Sequence, residues 1–228
     1  MSLKKNLSDD EVWQIAELHY NLLPDSFLAS FGKDFLYLIY QKIKLSVGST
    51  IIVYCINSEV VGFIAGGKGL KNVYLQMLKD PFWLCKSILP QLLRKSTLIK
   101  LISLLTRKNG QNNTAFKMTE AELYSICVTK KYQGSPVAQT LYDGLCDFFK
   151  ENNLDAFMIV VGSELSQAQR FYKKQGAEPV GILEQGSGNG LSYLNNYCEF
   201  LKIISKYYVE KTVSTSRRCS GLTSRQRA

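Results

Sequence analysis

Leu123-Tyr124-Ser125-Ile126-Cys127-Val128 runs directly into Thr129-Lys130-Lys131-Tyr132-Gln133-Gly134-Ser135-Pro136-Val137-Ala138. The first six residues form an apolar run of strand length. A turn with glycine and proline follows, and then Val137, Leu141, Leu145 and Phe148 recur at helical spacing. Ala156-Phe157-Met158-Ile159-Val160-Val161 is a second apolar run, and the stretch closes on Ala168-Gln169-Arg170-Phe171-Tyr172-Lys173-Lys174-Gln175-Gly176-Ala177. A strand that enters a helix through a tight turn leaves backbone N–H groups unpaired at the helix start. Those groups and the helix dipole favour an anion, commonly a phosphate. A right-handed crossover then sets the second strand parallel to the first.

These residues resemble the coenzyme-binding core of the GNAT superfamily of N-acetyltransferases. The family's turn is Gln or Arg followed by Gly-x-Gly-x-Gly or Ala, and here it is Gln133-Gly134-Ser135-Pro136-Val137-Ala138. Its later signature, Ala-x-x-Phe-Tyr-x-x-x-Gly-Phe, is matched by Ala168, Phe171, Tyr172, Gly176 and Ala177. The resemblance is close from Glu122 to Ala177 and looser from about Ser8 to Glu199. It implies an α/β fold: a mixed, mostly antiparallel central sheet with flanking helices and a splayed parallel strand pair. It also implies acetyl-CoA as co-substrate. The pyrophosphate would rest on Gln133, Gly134, Ser135, Val137, Ala138 and Gln139, and the acetyl carbonyl and pantetheine arm would lie along Ile126, Cys127 and Val128. Three residues depart from the pattern. Pro136 removes one N–H donor, Leu165 stands where an asparagine often sits, and Ala177 replaces a phenylalanine.

Acetyl transfer from a thioester to an amine requires deprotonation of the amine, stabilisation of the carbonyl oxygen and protonation of the leaving thiolate. The family places a tyrosine at Tyr172, which makes it the candidate acid; the alternative is a packed core tyrosine. Glu122, at the start of the first strand, is the candidate base, with Glu120 as the other choice; both could instead be solvated charges. Lys130, Lys131 and Arg170 read as solvated, although Arg170 could reach a coenzyme phosphate. Cys127 lies on the strand of the implied acetyl site, which leaves a thiol nucleophile open. The segment between the first two helices lies over the acceptor pocket in the family. That makes Asp25, Ser26 and Phe27 candidate substrate contacts, against the plainer role of a helix cap at Asp25 or Ser26. An early Pro-Asp-Ser with a helical insertion resembles bacterial enzymes that acetylate amino sugars of surface polysaccharides. Other small amines and protein N-termini stay open.

The 228 residues are 46% hydrophobic and 21% charged, the balance of a soluble globular protein. No run of eighteen apolar residues occurs, and Met1-Ser2-Leu3-Lys4-Lys5-Asn6 lacks a signal-peptide core, so a cytoplasmic protein is expected. Six cysteines without CxxC spacing and a single histidine argue against a metal site; most of the thiols read as reduced and buried. The net charge of +9 is concentrated. Residues 79–108 hold seven Lys/Arg against Asp80, and residues 211–228 hold five Lys/Arg and no acid, which leaves the rest of the chain at −2. A nucleic-acid binder would spread its charge along the fold, so none is expected as a partner.

Along the chain, Ser8-Asp9-Asp10-Glu11 is a capping box before a helix that ends ahead of Pro24. A second helical region from Ser26 to Leu45 is interrupted near Gly32, and any strand before Ser8 is short or absent. Residues 50–56 and 60–66 read as a hairpin turning at Asn57-Ser58-Glu59. Residues 73–107 read as a helical insertion of two amphipathic helices with basic outer faces. They suit packing on their own domain or on a second copy; contact with a membrane surface is the other reading. Gly186 to Gly190 reads as a flexible loop and Leu191 to Ile204 as a last strand with a helical end. The expectation is one domain over 1–211, monomer or homodimer, and a disordered basic tail over 212–228.

Overall fold

A computed structural model of the chain describes residues 2–83, 87, 119–185 and 188–196. These fall into two compact units. The first holds 2–83, 87 and 121–154; the second holds 119–120, 155–185 and 188–196.

The first unit contains β1 (Ser2–Lys4), α1 (Asp9–Leu22), α2 (Lys33–Leu45), β2 (Ser49–Ile56), β3 (Glu59–Gly67), α3 (Lys71–Leu78), β4 (Glu122–Val128) and α4 (Val137–Glu151). Its strands pair in chain order, each antiparallel to the next. The strand before Ser8 is thus present, three residues long. The capping box forms as the sequence predicts: Glu11 N–H donates to Ser8 Oγ at 3.2 Å, and Ser8 N–H donates to Glu11 Oε2 at 2.7 Å. The β2–β3 hairpin turns on Asn57 and Ser58, with φ of 49° and 65°, the two left-handed residues that a twist-matched two-residue turn needs.

Strand alternation separates two faces of this sheet. Ile51, Val53, Phe63 and Ala65 join Val12, Ile15 and Ala16 of α1 and Phe35, Leu36, Ile39 and Ile43 of α2 in one core. Each large side chain buried there stabilises the fold by about 1.5–3 kcal/mol. Ile52, Gly62 and Gly66 point the other way, to α4. A Cβ at Gly66 would come within 2.9 Å of the Leu145 side chain, so the missing side chain lets α4 sit close against the sheet.

The second unit contains β5 (Ala156–Gly162), α5 (Ser166–Lys174), β6 (Glu178–Gln185) and β7 (Gly188–Asn196). β7 pairs antiparallel with both β5 and β6. This corrects the loop expected over Gly186 to Gly190 at its last three residues; 186–187 lie outside the described residues. Gly188, Asn189 and Gly190 are strand residues, paired with Gln185, Glu184 and Leu183. The β6 pairing of all three, with Gly190 also opposite Gly162 of β5, overrides the turn preference of the glycines. The remainder of the 73–107 insertion beyond α3, a helical turn at 81–83 and Ser87 lies outside the described residues, as do the expected helical end after Asn196 and the tail.

Candidate active site

β4 carries the centre of the first unit's site. It pairs with β3 from Gly62↔Val128 to Ala65↔Ser125 and then shifts to Gly66↔Leu123, so Tyr124 is an extra, unregistered residue. Such a bulge re-aims the side chains around it. Glu122 lies just beyond the bulge. It is half-buried, and no hydrogen bond or ion pair among the described residues reaches its carboxylate. Burial raises its pKa from 4.5 to about 7. Tyr74 and Tyr124 are close enough to feel its charge. Tyr124 Oη stands 3.4 Å from Ser49 Oγ, and burial pushes its phenol up to about 12. A carboxylate with a pKa near the working pH is suited to taking a proton. Glu120 is exposed and belongs to the second unit.

On the core side of β4 the polar groups have partners. His19 Nδ1 is 2.6 Å from Tyr40 Oη and Nε2 is 2.9 Å from Ser26 Oγ; of the two ring nitrogens one donates and the other accepts. Burial lowers His19 to about 4, so the imidazole is neutral. Tyr40 is fully buried, and burial, with Cys127 adding to it, holds its phenol well above 10. Burial raises Cys127 to about 12. A thiol that stays protonated is a poor nucleophile, and the thiol reading of Cys127 has no support here. Ser125 Oγ, enclosed near Tyr40 and Cys127, makes no hydrogen bond of normal geometry.

Ser26 Oγ also accepts the N–H of Ala29 at 3.1 Å, in the turn that leads into the short 3-10 turn Ala29–Phe31, whose cap residue is Leu28. Phe27 stacks edge-on with Phe31 at 5.0 Å, and Asp25 is exposed. The structure therefore brings Ser26 to His19 and Tyr40, a link that the sequence did not reveal. A separate cavity of about 640 Å³, with Trp13, Asp34, Tyr37, Gln41, Lys42 and Asp80 among its lining residues, contains none of the predicted site residues.

The turn from β4 into α4 has the expected form, with narrower chemistry. Gly134 has φ +79°, and a Cβ there would meet nothing within 4 Å. The Gln133 side-chain amide donates to the Val128 carbonyl at 3.1 Å, Ser135 N–H and Oγ donate to Tyr132 O, and Val137 N–H points at Ser135 Oγ at 3.4 Å. The Gln139 side chain holds Asp143. This leaves the N–H groups of Gly134 and Ala138 without an acceptor among the described residues. Pro136 precedes α4 as its cap residue instead of occupying the first helical position, although its φ of −64° and ψ of −9° are helical and its carbonyl accepts Thr140 N–H at 2.9 Å.

In the second unit, Tyr172 lies on α5 with 4% of its surface exposed and its ring edge-on to Phe171 at 5.5 Å. The residues after it close the helix in a Schellman motif. Ala177 N–H donates to Tyr172 O at 3.1 Å and Gly176 N–H to Lys173 O at 3.0 Å, with Gly176 at φ +81°. Gly176 is thus explained by helix termination. Gln169 Nε2 ties α5 to the end of β5 through Gly162 O at 3.0 Å and Ser163 O at 2.9 Å. Leu165 precedes α5 and is exposed, as is Arg170.

The model of the Acetyltransferase (GNAT) family matches residues 16–177, well over half of the chain. The chain belongs to this family. Solved GNAT acetyltransferases share its fold at low sequence identity. An N-acetyltransferase from Staphylococcus aureus Mu50 superposes with a TM-score of 0.57 at 12% identity, over 86% of this chain and 98% of its own. A ribosomal-protein-alanine N-acetyltransferase from Brucella melitensis gives 0.55 at 12%, over 86% and 99%. An aminoglycoside 6′-N-acetyltransferase complexed with coenzyme A gives 0.55 at 11%, over 87% and 98%. No curated protein matches the chain in sequence. GNAT enzymes use acetyl-CoA. The turn fits that co-substrate, because two unpaired N–H groups, a helix start and an uncrowded left-handed glycine together favour a phosphate.

Proposed function

We propose that this GNAT acetyltransferase moves the acetyl group of acetyl-CoA to the primary amine of a small molecule, an amino sugar in particular. Glu122 carries the proposal: a half-buried carboxylate at the start of β4, with no hydrogen bond or ion pair among the described residues and its pKa raised to about 7. As general base it takes a proton from the acceptor's ammonium, directly or through a water. The free amine then attacks the thioester carbonyl, whose oxygen the β4 backbone at Ile126 to Val128 stabilises. The tetrahedral intermediate breaks its C–S bond, Tyr172 gives a proton to the departing thiolate, and the proton that the attacking nitrogen sheds as the amide forms restores the tyrosine. Gly134 and Ala138 N–H groups hold the pyrophosphate, and the loop at Asp25, Ser26 and Phe27 borders the acceptor. The amino-sugar preference is supported by the early Pro24-Asp25-Ser26 and by fold likeness to an aminoglycoside acetyltransferase.

A second reading is a coenzyme-binding protein without turnover. Pro136 favours it, since it removes an N–H from the phosphate turn. Coenzyme A release separates the two. Purified chain with acetyl-CoA is assayed for free thiol against nucleotide amino sugars, aminoglycosides, polyamines and a peptide amine. Thiol release that depends on an amino sugar supports the proposal. Release with the peptide alone overturns the substrate class, and coenzyme binding with no release from any amine supports the second reading.

A further inference from the structure

Ser49 of β2 pairs with Gly67 of β3, and Gly67 pairs with Glu122 of β4, so these three residues form one row across the sheet. Directly paired residues point to the same face. Gly67 contributes no side chain, and a Cβ there would run into Ser49. The Ser49 hydroxyl therefore leans over the gap at Gly67, and its Oγ reaches Tyr124 Oη at 3.4 Å. Tyr124 is the bulged residue of β4, and it packs against the core of α1 and α2. The third hydroxyl comes from α3. Val73 and Met77, 0% and 2% exposed, anchor that helix in the same core, and Tyr74 beside them is 40% exposed. Its phenol lies within electrostatic reach of both Tyr124 and the Glu122 carboxylate.

These hydroxyls have capacity to spare. A distance of 3.4 Å is long for an O–H···O bond, ordinarily about 2.5–3.0 Å. The contact between Ser49 and Tyr124 uses one of their two protons, and Tyr74 Oη has no hydrogen bond among the described residues. Burial, with Glu122 adding to it, pushes the Tyr74 phenol up to about 12, and burial does the same to Tyr124. Both phenols therefore keep a proton to donate at neutral pH. The packed Tyr124 ring is held by the core, and its oxygen is the end turned to Ser49. Neutral oxygens that both donate and accept match a hydroxyl group, which does the same.

Given Glu122 as the base that meets the acceptor amine, the reading on which this rests, we propose that Ser49, Tyr74 and Tyr124 form a hydroxyl subsite beside it, so that the enzyme selects amines that also carry a hydroxyl group. The probes are cyclohexylamine and its 2-hydroxy and 4-hydroxy derivatives, which keep one ring and one amine and differ by a hydroxyl. Thiol release from acetyl-CoA is measured with the full chain and with Tyr124→Phe, Ser49→Ala and Tyr74→Phe. Each variant should lower kcat/KM for a hydroxylated ring about three- to tenfold more than for cyclohexylamine, chiefly through KM, the worth of one neutral hydrogen bond. The basicity of each amine cancels when variant and parent are compared on it. Melting and coenzyme A titration like the parent's show that the fold is kept, and Tyr74→Phe, at an exposed residue, keeps the test available if either other variant misfolds. An equal loss on all three amines marks a packing role and overturns the proposal. So does release that the parent and every variant give with the same preference, in which case the transferase reading stands without the subsite. If no amine releases thiol, calorimetric titration of the three amines in the presence of coenzyme A reads the subsite without turnover. Tighter binding of a hydroxylated ring that Tyr124→Phe loses supports the subsite while the transferase reading fails; equal binding, or none, overturns the subsite.

Discussion

Half-buried Glu122 and buried His19 are two ionisable groups of the same unit, and their surroundings shift them in opposite directions. His19 has a partner on each ring nitrogen, Tyr40 at 2.6 Å and Ser26 at 2.9 Å, and it stays neutral, with a pKa lowered to about 4. Glu122 has no partner among the described residues, and burial alone raises it to about 7. A buried polar group is ordinarily satisfied, because leaving it unsatisfied costs about 1–3 kcal/mol. The satisfied group holds the fold and fixes the α1–α2 loop. Glu122, only half-buried, has its ionisation shifted toward neutral pH by its surroundings, and groups with shifted pKa values concentrate at functional sites.

The largest expected effect tests that division. Glu122→Gln keeps the shape and removes the base, so turnover on the amine identified by thiol release should fall by roughly 10²–10⁴-fold. In the parent, kcat/KM should rise with pH through a limb near 7, and the variant should lose this limb. His19 titrates near 4 and should contribute no limb between pH 5 and 9. Tyr172→Phe, which removes only a hydroxyl, should cost turnover by a similar roughly 10²–10⁴-fold with coenzyme affinity nearly unchanged. Near-parental turnover in either variant removes that residue from the mechanism.

The next effect concerns stability. His19→Ala deletes a buried ring and leaves Tyr40 Oη and Ser26 Oγ without it. A loss of about 2–4 kcal/mol is expected, or roughly 5–15 °C in Tm by calorimetry. Tyr40→Phe removes one hydrogen bond and should cost about 1–2 kcal/mol. A His19→Ala protein as stable as the parent would break the claim that this group is structural.

The two groups also differ in how far the sequence betrayed them. The β4–turn–α4 stretch, the capping box, the Asn57-Ser58 hairpin and the break at Gly32 are local: their signals lie within a few residues, and the structure follows them. Glu122 was legible because it precedes a strand in a recognisable family core. Its raised pKa was not, since burial depends on what the fold sets around the carboxylate beyond the bulge, where Tyr74 and Tyr124 lie close enough to feel its charge. The His19–Tyr40–Ser26 link joins residues 7 and 21 positions apart, and no spacing rule points to it. Gly188 to Gly190 misled for another reason. Their composition favours a loop, but pairing with Gln185, Glu184 and Leu183 in a hairpin, and of Gly190 with distant Gly162, makes them a strand.

The last effect is the smallest and tests the comparison most directly, because the two groups should drive stability with opposite signs. Glu122 has a folded pKa of about 7 against 4.5 as its ordinary value. Between these values the folded chain holds a proton that the unfolded chain has released. The stabilisation is therefore complete below about 4.5 and is lost as pH rises through 7. His19 has a folded pKa of about 4 against 6.5, so its stabilisation is complete above 6.5 and is lost as pH falls through 4. From pH 4.5 to 6.5 the two slopes oppose, each about 1.4 kcal/mol per pH unit, and the parent's stability should be nearly flat in these two terms. Glu122→Gln removes one slope. Measured by denaturant melts, its stability relative to the parent should be near zero at pH 4.5 and grow to a gain of about 2–3 kcal/mol at pH 8. His19→Gln should show the reverse: its difference from the parent should favour the variant progressively as pH falls below 6.5. A Glu122→Gln difference that does not change with pH would mean that the carboxyl is ordinary in the folded chain. The contrast with His19 would then fail, and with it the main support for Glu122 as the base.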